Sequence, residues 1–146
     1  MNRPISLREA LDHAPMLKGR RAGVPREHFE QVALFIWADS AGARAKHPEL
    51  EMLFAVPNGG HRHKATAGKL KAEGVRRGVP DLMLDVSRGG FHGFRGELKA
   101  EGGAMSIDQR AWRDRYKAHG YYHVVAVGWE AMRDEILGYL ELRATT

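Results

Sequence analysis

The sequence predicts an α/β domain with a central mixed sheet and helices on its faces. Three observations carry this. Apolar residues recur at helical spacing in several segments. Short runs of β-branched, aromatic and aliphatic residues lie between them. The resulting order is helix, strand, short helix, two strands, helix, strand, helix, without internal repeat or low-complexity tract.

The first helix starts near Pro25, since proline is tolerated in a first turn, and Phe29, Val32, Ala33, Ile36 and Trp37 mark its buried face. Gly42 and then Pro48 stop it. Residues 51–56 read as a strand, ended by Pro57-Asn58-Gly59-Gly60. Residues 61–73 become helical in their second half, with Gly74 as the C-cap. Residues 81–86 and 91–99 are strands, and the short Ser87-Arg88-Gly89-Gly90 turn between them predicts an antiparallel pair. A helix over 106–119 opens on Ser106-Ile107-Asp108-Gln109, which fits a capping box, and Gly120 ends it. Residues 121–127 form a strand expected to be buried by their aromatic and β-branched content. A helix over 129–142 closes the chain, with Met132, Ile136, Leu137 and Leu140 on one face. Trp37, Trp112 and Trp129 fall in helical patterns or caps and read as core or interface rather than base-stacking platforms.

The 146 residues suit one domain, here 25–146, preceded by an arm over 1–24. The arm carries Arg3, Arg8, Lys18, Arg20 and Arg21 against Glu9 and Asp12, a net +3. It is either a frayed, solvated terminus or a phosphate-contacting tail. With no cysteine, disulfides and thiolate zinc sites are excluded. No apolar run approaches the ~20 residues that span a membrane, and the N-terminus lacks the pattern of a signal peptide. A cytoplasmic protein of a bacterium or virus is expected. The formal charge of +5 favours polyanionic partners. Charge is densest over 61–77, where Arg62, Lys64, Lys69, Lys71, Arg76 and Arg77 oppose only Glu73, a net +5. Alone this is a solvated helix face; just before an acidic motif it reads as a grip on a phosphate backbone. His61 and His63 lie two apart and lack the further ligands a zinc site needs.

The chemistry centres on Val79-Pro80-Asp81 and, sixteen positions after Asp81, Glu97-Leu98-Lys99. Strand alternation puts Arg95, Glu97 and Lys99 on one face and Phe94, Gly96 and Leu98 on the other, toward the core. If the two strands pair, Asp81 reaches Glu97. Two carboxylates at close range repel unless a cation lies between them. Oxygen ligands select hard ions, so Mg²⁺ is the expected partner, with Mn²⁺ a substitute and the Leu98 carbonyl a further ligand. Lys99 could then orient or deprotonate the attacking water, or stabilise charge on a phosphate. Read singly, Asp81 is a turn residue and Glu97 with Lys99 a solvent-facing strand edge whose ion pair is worth at most ~1 kcal/mol. Asp85 shares the face of Asp81 but reads as a strand-end residue.

These motifs resemble the stand-alone VRR-NUC domain of the PD-(D/E)XK nuclease superfamily. The match runs through Pro57-Asn58-Gly59-Gly60, Lys69-Leu70-Lys71-Ala72-Glu73-Gly74-Val75, Gly78-Val79-Pro80-Asp81-Leu82, Gly89-Gly90-Phe91-His92-Gly93 and Glu97-Leu98-Lys99. It covers roughly residues 25–142. The resemblance implies a restriction-endonuclease-like core and divalent-metal hydrolysis of phosphodiesters. It implies a glutamate on the first helix as an extra metal ligand, matching Glu27 of the Glu27-x-x-x-Gln31 pair, with Glu30 as the competitor. It also implies a glutamine after the ExK strand, matching Gln109, although capping alone would account for that residue. Asn58 either touches substrate or shapes its turn. The expected activity is cleavage of DNA, recognised by branched or junction structure because no base-reading motif is present, by a two-fold homodimer. The alternatives are a nucleic-acid-binding module with a vestigial site and an RNase or nickase of the same fold.

Overall fold

The computed structural model describes residues 26–57 and 64–145. The expectations for the arm 1–24, and for Asn58, His61, Arg62 and His63, lie outside the described residues, as does the side chain of Lys64.

Helix α1 spans Arg26–Ala38. It ends before the predicted Gly42 because Ser40 starts a second helix, α2, over Ala41–Lys46, accepting from the Ala43 N–H at 3.2 Å. The buried face of α1 is Ala33, Leu34 and Ala38, with Phe35 and Trp37 packed beside it. This is rotated from the predicted stripe, because α1 packs on both a helix and the sheet. A 3-10 helix, Pro48–Met52, takes the first residues of the predicted strand, leaving β1 as Leu53–Ala55. Helix α3 spans Lys64–Ala72. Gly74 closes it at φ +96°, with Val75 N–H donating to Leu70 and Gly74 N–H to Leu70's neighbour Lys71, the paired bonds of a left-handed glycine cap.

Strand β2 is Leu82–Leu84 and β3 is Phe94–Lys99. Between them Arg88 and Phe91 exchange both backbone hydrogen bonds around Gly89 and Gly90, each at positive φ, so the predicted turn is a two-residue hairpin tip. Helix α4, Ile107–Ala118, has the predicted capping box at Ser106 and Gln109. Strand β4 is Tyr122–Val127 and helix α5 is Trp129–Leu140.

The sheet order is β1-β2-β3-β4. The first two pairings are antiparallel, and β3 runs parallel to β4 across the α4 crossover. Strand β3 is therefore central. Its Phe94 and Leu98 pack with Leu34, Leu82, Leu84, Met132 and Ile136 in the core. A Cβ on Gly96 would meet Met132 at 3.1 Å, so the missing side chain lets α5 lie directly on β3. Tyr139, absent from the predicted α5 face, is buried among Phe94 and Tyr122, and its hydroxyl donates to the Val86 carbonyl at 2.6 Å. The expectation that β4 is buried is corrected: as an edge strand it buries His123 and Ala126 but leaves Val125 39% and Val127 54% exposed.

Residues 77–80 cross the first turn of α4. Trp112 Nε1 donates to the Arg77 carbonyl at 2.9 Å, and a Cβ on Gly78, at φ +79°, would stand 2.6 Å from Asp108 backbone. This contact sets the distance between the Asp81 segment and α4. Gly78→Ala is expected to cost on the order of 2 kcal/mol or more in urea unfolding, combining left-handed strain with the clash. Gly74→Ala, equally left-handed but in open space, should cost only the strain, about 1 kcal/mol.

Candidate active site

The register brings the predicted residues together. Leu82 faces Gly96, so Asp81 precedes the ladder beside Glu97, and the carboxylate of Asp81 accepts the Leu98 N–H at 2.9 Å. In an antiparallel ladder the N–H and C=O of one residue point to the same edge, so the Leu98 carbonyl also turns toward the Asp81 side. Asp81 and Glu97 lie close enough to perturb each other. Burial, and then the charge of Asp81, push Glu97 from 4.5 up to about 8. Burial also raises Asp81, against the Leu98 N–H that lowers it. The Oε2 atom of Glu97 is buried without a hydrogen-bond partner.

The solvent-facing alternative for Glu97 and Lys99 is corrected. Glu97 is 1% and Lys99 6% exposed, because β3 is central and α4 covers this face. Lys99 Nζ donates to Gln109 Oε1 at 3.1 Å and stands 3.6 Å from Glu97 Oε1 and 3.9 Å from Glu27 Oε1. Gln109 has two attachments at once. Its Oε1 accepts the Ser106 N–H at 2.8 Å as the cap of α4, and its Nε2 donates to Glu97 Oε1 at 2.5 Å. The capping role and the site role are thus the same side chain.

Glu27 and Glu30 separate by what they touch. Glu27 faces Lys99, half exposed, and a Cβ on Gly103 would stand 3.3 Å from its carboxylate. Glu30 accepts the Trp129 N–H at 2.7 Å, capping α5 where Gly128 offers no side chain. Glu27 thus stands beside the lysine of the Asp81–Glu97 centre, and among the described residues no three His, Asp or Glu side chains stand together as a metal-holding group. Two carboxylates with a buried oxygen lacking a donor, and a carbonyl on the same side, make an all-oxygen set that could hold a hard divalent cation.

Other predicted residues fall around this centre. In helix α3, residues 66–72 are exposed except for half-buried Leu70, with Lys69 3.9 Å from Glu73. Arg76 donates to the Lys71 carbonyl, and Arg77, almost fully exposed, stands 4.0 Å from Asp108. Asp85 pairs with Arg95 at 2.9 Å, away from the carboxylate pair, as a strand-end residue. The motifs left one feature unseen. Arg95, 5% exposed, lies between the rings of Tyr116 and Tyr121 at 4.9 and 4.4 Å. Beside it His123 is buried and held down to about 4 by burial, then by Lys117 and Arg113. Alternation assigns Arg95 to the Glu97 face, but the aromatic partners come from α4 and the turn after it.

Metal-free protein should lose stability as pH rises. A carboxyl raised to about 8 binds its proton more tightly folded than unfolded, so its contribution is full below 4.5 and lost on the way to about 8. Urea unfolding in chelator between pH 5 and 8 should fall by on the order of 1 kcal/mol per pH unit. Glu97→Gln should flatten that slope; an unchanged slope in the variant would show that Glu97 is not the titrating group.

No protein-family model matches the chain, and no curated protein does. A solved structure described as "VRR_NUC domain protein" is similar to it, with a TM-score of 0.69 and 26% identity, covering 83% of this chain and 93% of the other. The mixed four-stranded sheet with flanking helices thus agrees with the fold the motifs implied, and the chain is similar to a VRR-NUC domain protein.

Proposed function

We propose that the protein is a metal-dependent endonuclease that hydrolyses phosphodiester bonds in DNA. The observation that carries this reading is the buried Asp81–Glu97 pair beside Lys99, with an oxygen of Glu97 left without a donor. Burial of such a pair without a cation is costly, so its upkeep points to a ligand that neutralises it. The similar VRR-NUC domain protein supports a nuclease-like domain.

In this reading Asp81, Glu97 and the Leu98 carbonyl hold Mg²⁺, with Mn²⁺ as a substitute. The bound ion supplies a Lewis acid that offsets phosphate charge and acidifies water. Lys99, fixed by Gln109 and Glu97, presents its ammonium to the phosphate or orients the attacking water. Glu27 holds the other side of that ammonium. Gln109 ties the position of both groups to the first turn of α4. Lys69, Lys71, Arg76 and Arg77 approach the nucleic-acid backbone ahead of Asp81, and the same role is proposed, from sequence alone, for Asn58, Arg62, Lys64 and the basic arm 1–24. Recognition is by DNA shape, as at branched or four-way junctions. A homodimer supplies two sites for symmetric cutting, with the exposed valines of the β4 edge as its apolar face.

Among labelled four-way junction, flap, duplex and single-stranded DNA, the branched substrates should be cut fastest, with Mg²⁺ or Mn²⁺ and not in EDTA. Asp81→Ala and Lys99→Ala should each lower the rate by at least about 100-fold. Tight binding without cutting by the wild type would instead favour a binding module with a vestigial site, and cutting confined to RNA would favour an RNase.

Replacing Lys69, Lys71 or Arg76 by alanine should weaken binding for all sequences alike and reduce the slope of log K against log salt by about 1 each. Sedimentation at micromolar concentration should show a dimer; monomer alone would remove the two-site model while leaving the nuclease reading intact.

A further inference from the structure

Strand pairing places Phe54, Met83, Arg95 and His123 in one row across the sheet, on the face that carries Asp81, Glu97 and Lys99. The two halves of this row differ. Arg95 and His123 are buried beneath α4, with Tyr116 of that helix and Tyr121 of the following turn against Arg95. Phe54, on the edge strand, is 45% exposed, and Met83 beside it is partly open. A single exposed aromatic is ordinary on a protein surface. Its position here is not ordinary: Phe54 is directly opposite Met83 and diagonal to Asp81. Diagonal neighbours lie about 7–8 Å apart, within reach of an aromatic ring.

Given the nuclease reading above, we propose that Phe54, backed by Met83, is a stacking platform for an unpaired nucleobase next to the phosphate held at Asp81 and Glu97. The nearby cations do not compete for this role. Arg95 is committed to Asp85, the Phe94 carbonyl and two tyrosine rings. Lys99 is held by Gln109 and the carboxylates. The apolar step therefore faces a site built for anionic backbone on one side, with the basic segment Lys69 to Arg77 leading into Asp81. A nucleic acid matches both parts, phosphate at the carboxylate–cation centre and base over the ring. A base paired within a duplex is stacked on its own neighbours, so the substrate class is one whose strand is unpaired at the cut, such as a flap or a branch point.

The test uses the full chain with Ca²⁺ in place of Mg²⁺, so that binding is read without cutting. The probe is a short single-stranded oligonucleotide carrying 2-aminopurine, and the same sequence as a duplex. Wild type should quench the single-stranded probe. Phe54→Ala should weaken its binding roughly 5- to 150-fold and remove the quench, as expected for one stacked base. Phe54→Trp should restore both, which a merely misfolded edge would not do. Duplex affinity should fall by less, so the preference for single strand narrows. Single-strand binding and quenching unchanged in Phe54→Ala would overturn the proposal. So would equal losses on both probes without rescue by tryptophan, or a wild-type dimer that Phe54→Ala dissociates while binding is kept. If wild type binds and cuts DNA independently of Phe54, only the platform fails; if wild type binds neither probe, the nuclease reading fails with it.

Discussion

Three ionisable side chains of one central strand, Arg95, Glu97 and Lys99, are buried, and the arrangement around them follows from that constraint. Charges removed from water are tolerated only when partners replace the lost hydration. Arg95 receives Asp85, a backbone carbonyl and two aromatic rings. Lys99 receives Gln109 and sits between Glu97 and Glu27. Glu97 differs in facing a like charge. It gains Gln109 on one oxygen, keeps the other without a donor, and faces Asp81, a second carboxylate. Arg95 Nε and His123 Nε2 on this face also lack partners, but the Asp81–Glu97 pair sets two like charges together, and there a cation would resolve the imbalance.

The helices serve that pair from two sides. Below the sheet, α5 rests on Gly96, and Glu30 of α1 caps its first turn, so the two helices are joined at the end nearest Lys99. Glu27 lies in the first turn of α1, three residues before Glu30, and meets the lysine. Above the sheet, α4 begins with a capping box whose glutamine also binds Glu97 and Lys99. Gly78 and the Trp112 contact fix how closely the Asp81 segment passes that same turn. A shift of the α4 N-terminus would thus move the lysine, the glutamate and the aspartate segment together.

Much of this was legible in the sequence, for local reasons. Alternation along 94–99 separated core from chemistry, and the spacing from Ser106 to Gln109 gave the cap. The Gly89-Gly90 turn gave the antiparallel pair that brings Asp81 to Glu97. What was missed depends on distant partners. Glu30 meets Trp129 ninety-nine residues away, so its capping role had no local signature. Tyr116 and Tyr121 enclose Arg95 only once α4 has crossed back to β4. Strand β4 has the composition of a buried strand, but composition does not say which strand is last in the sheet. Ser40 and Pro48 divide what periodicity alone reads as one helix and a longer strand.

The central claim is that the Asp81–Glu97 pair is a cation site, and Mn²⁺ titration by calorimetry tests it most directly. Performed near pH 7 in two buffers of different ionisation enthalpy, it reads both binding and proton exchange. Because Glu97, raised to about 8, retains its proton there, saturable binding should release close to one proton per ion, and Glu97→Gln should abolish the release. Binding without proton release, or no binding by the wild type while the variant behaves identically, would contradict the account.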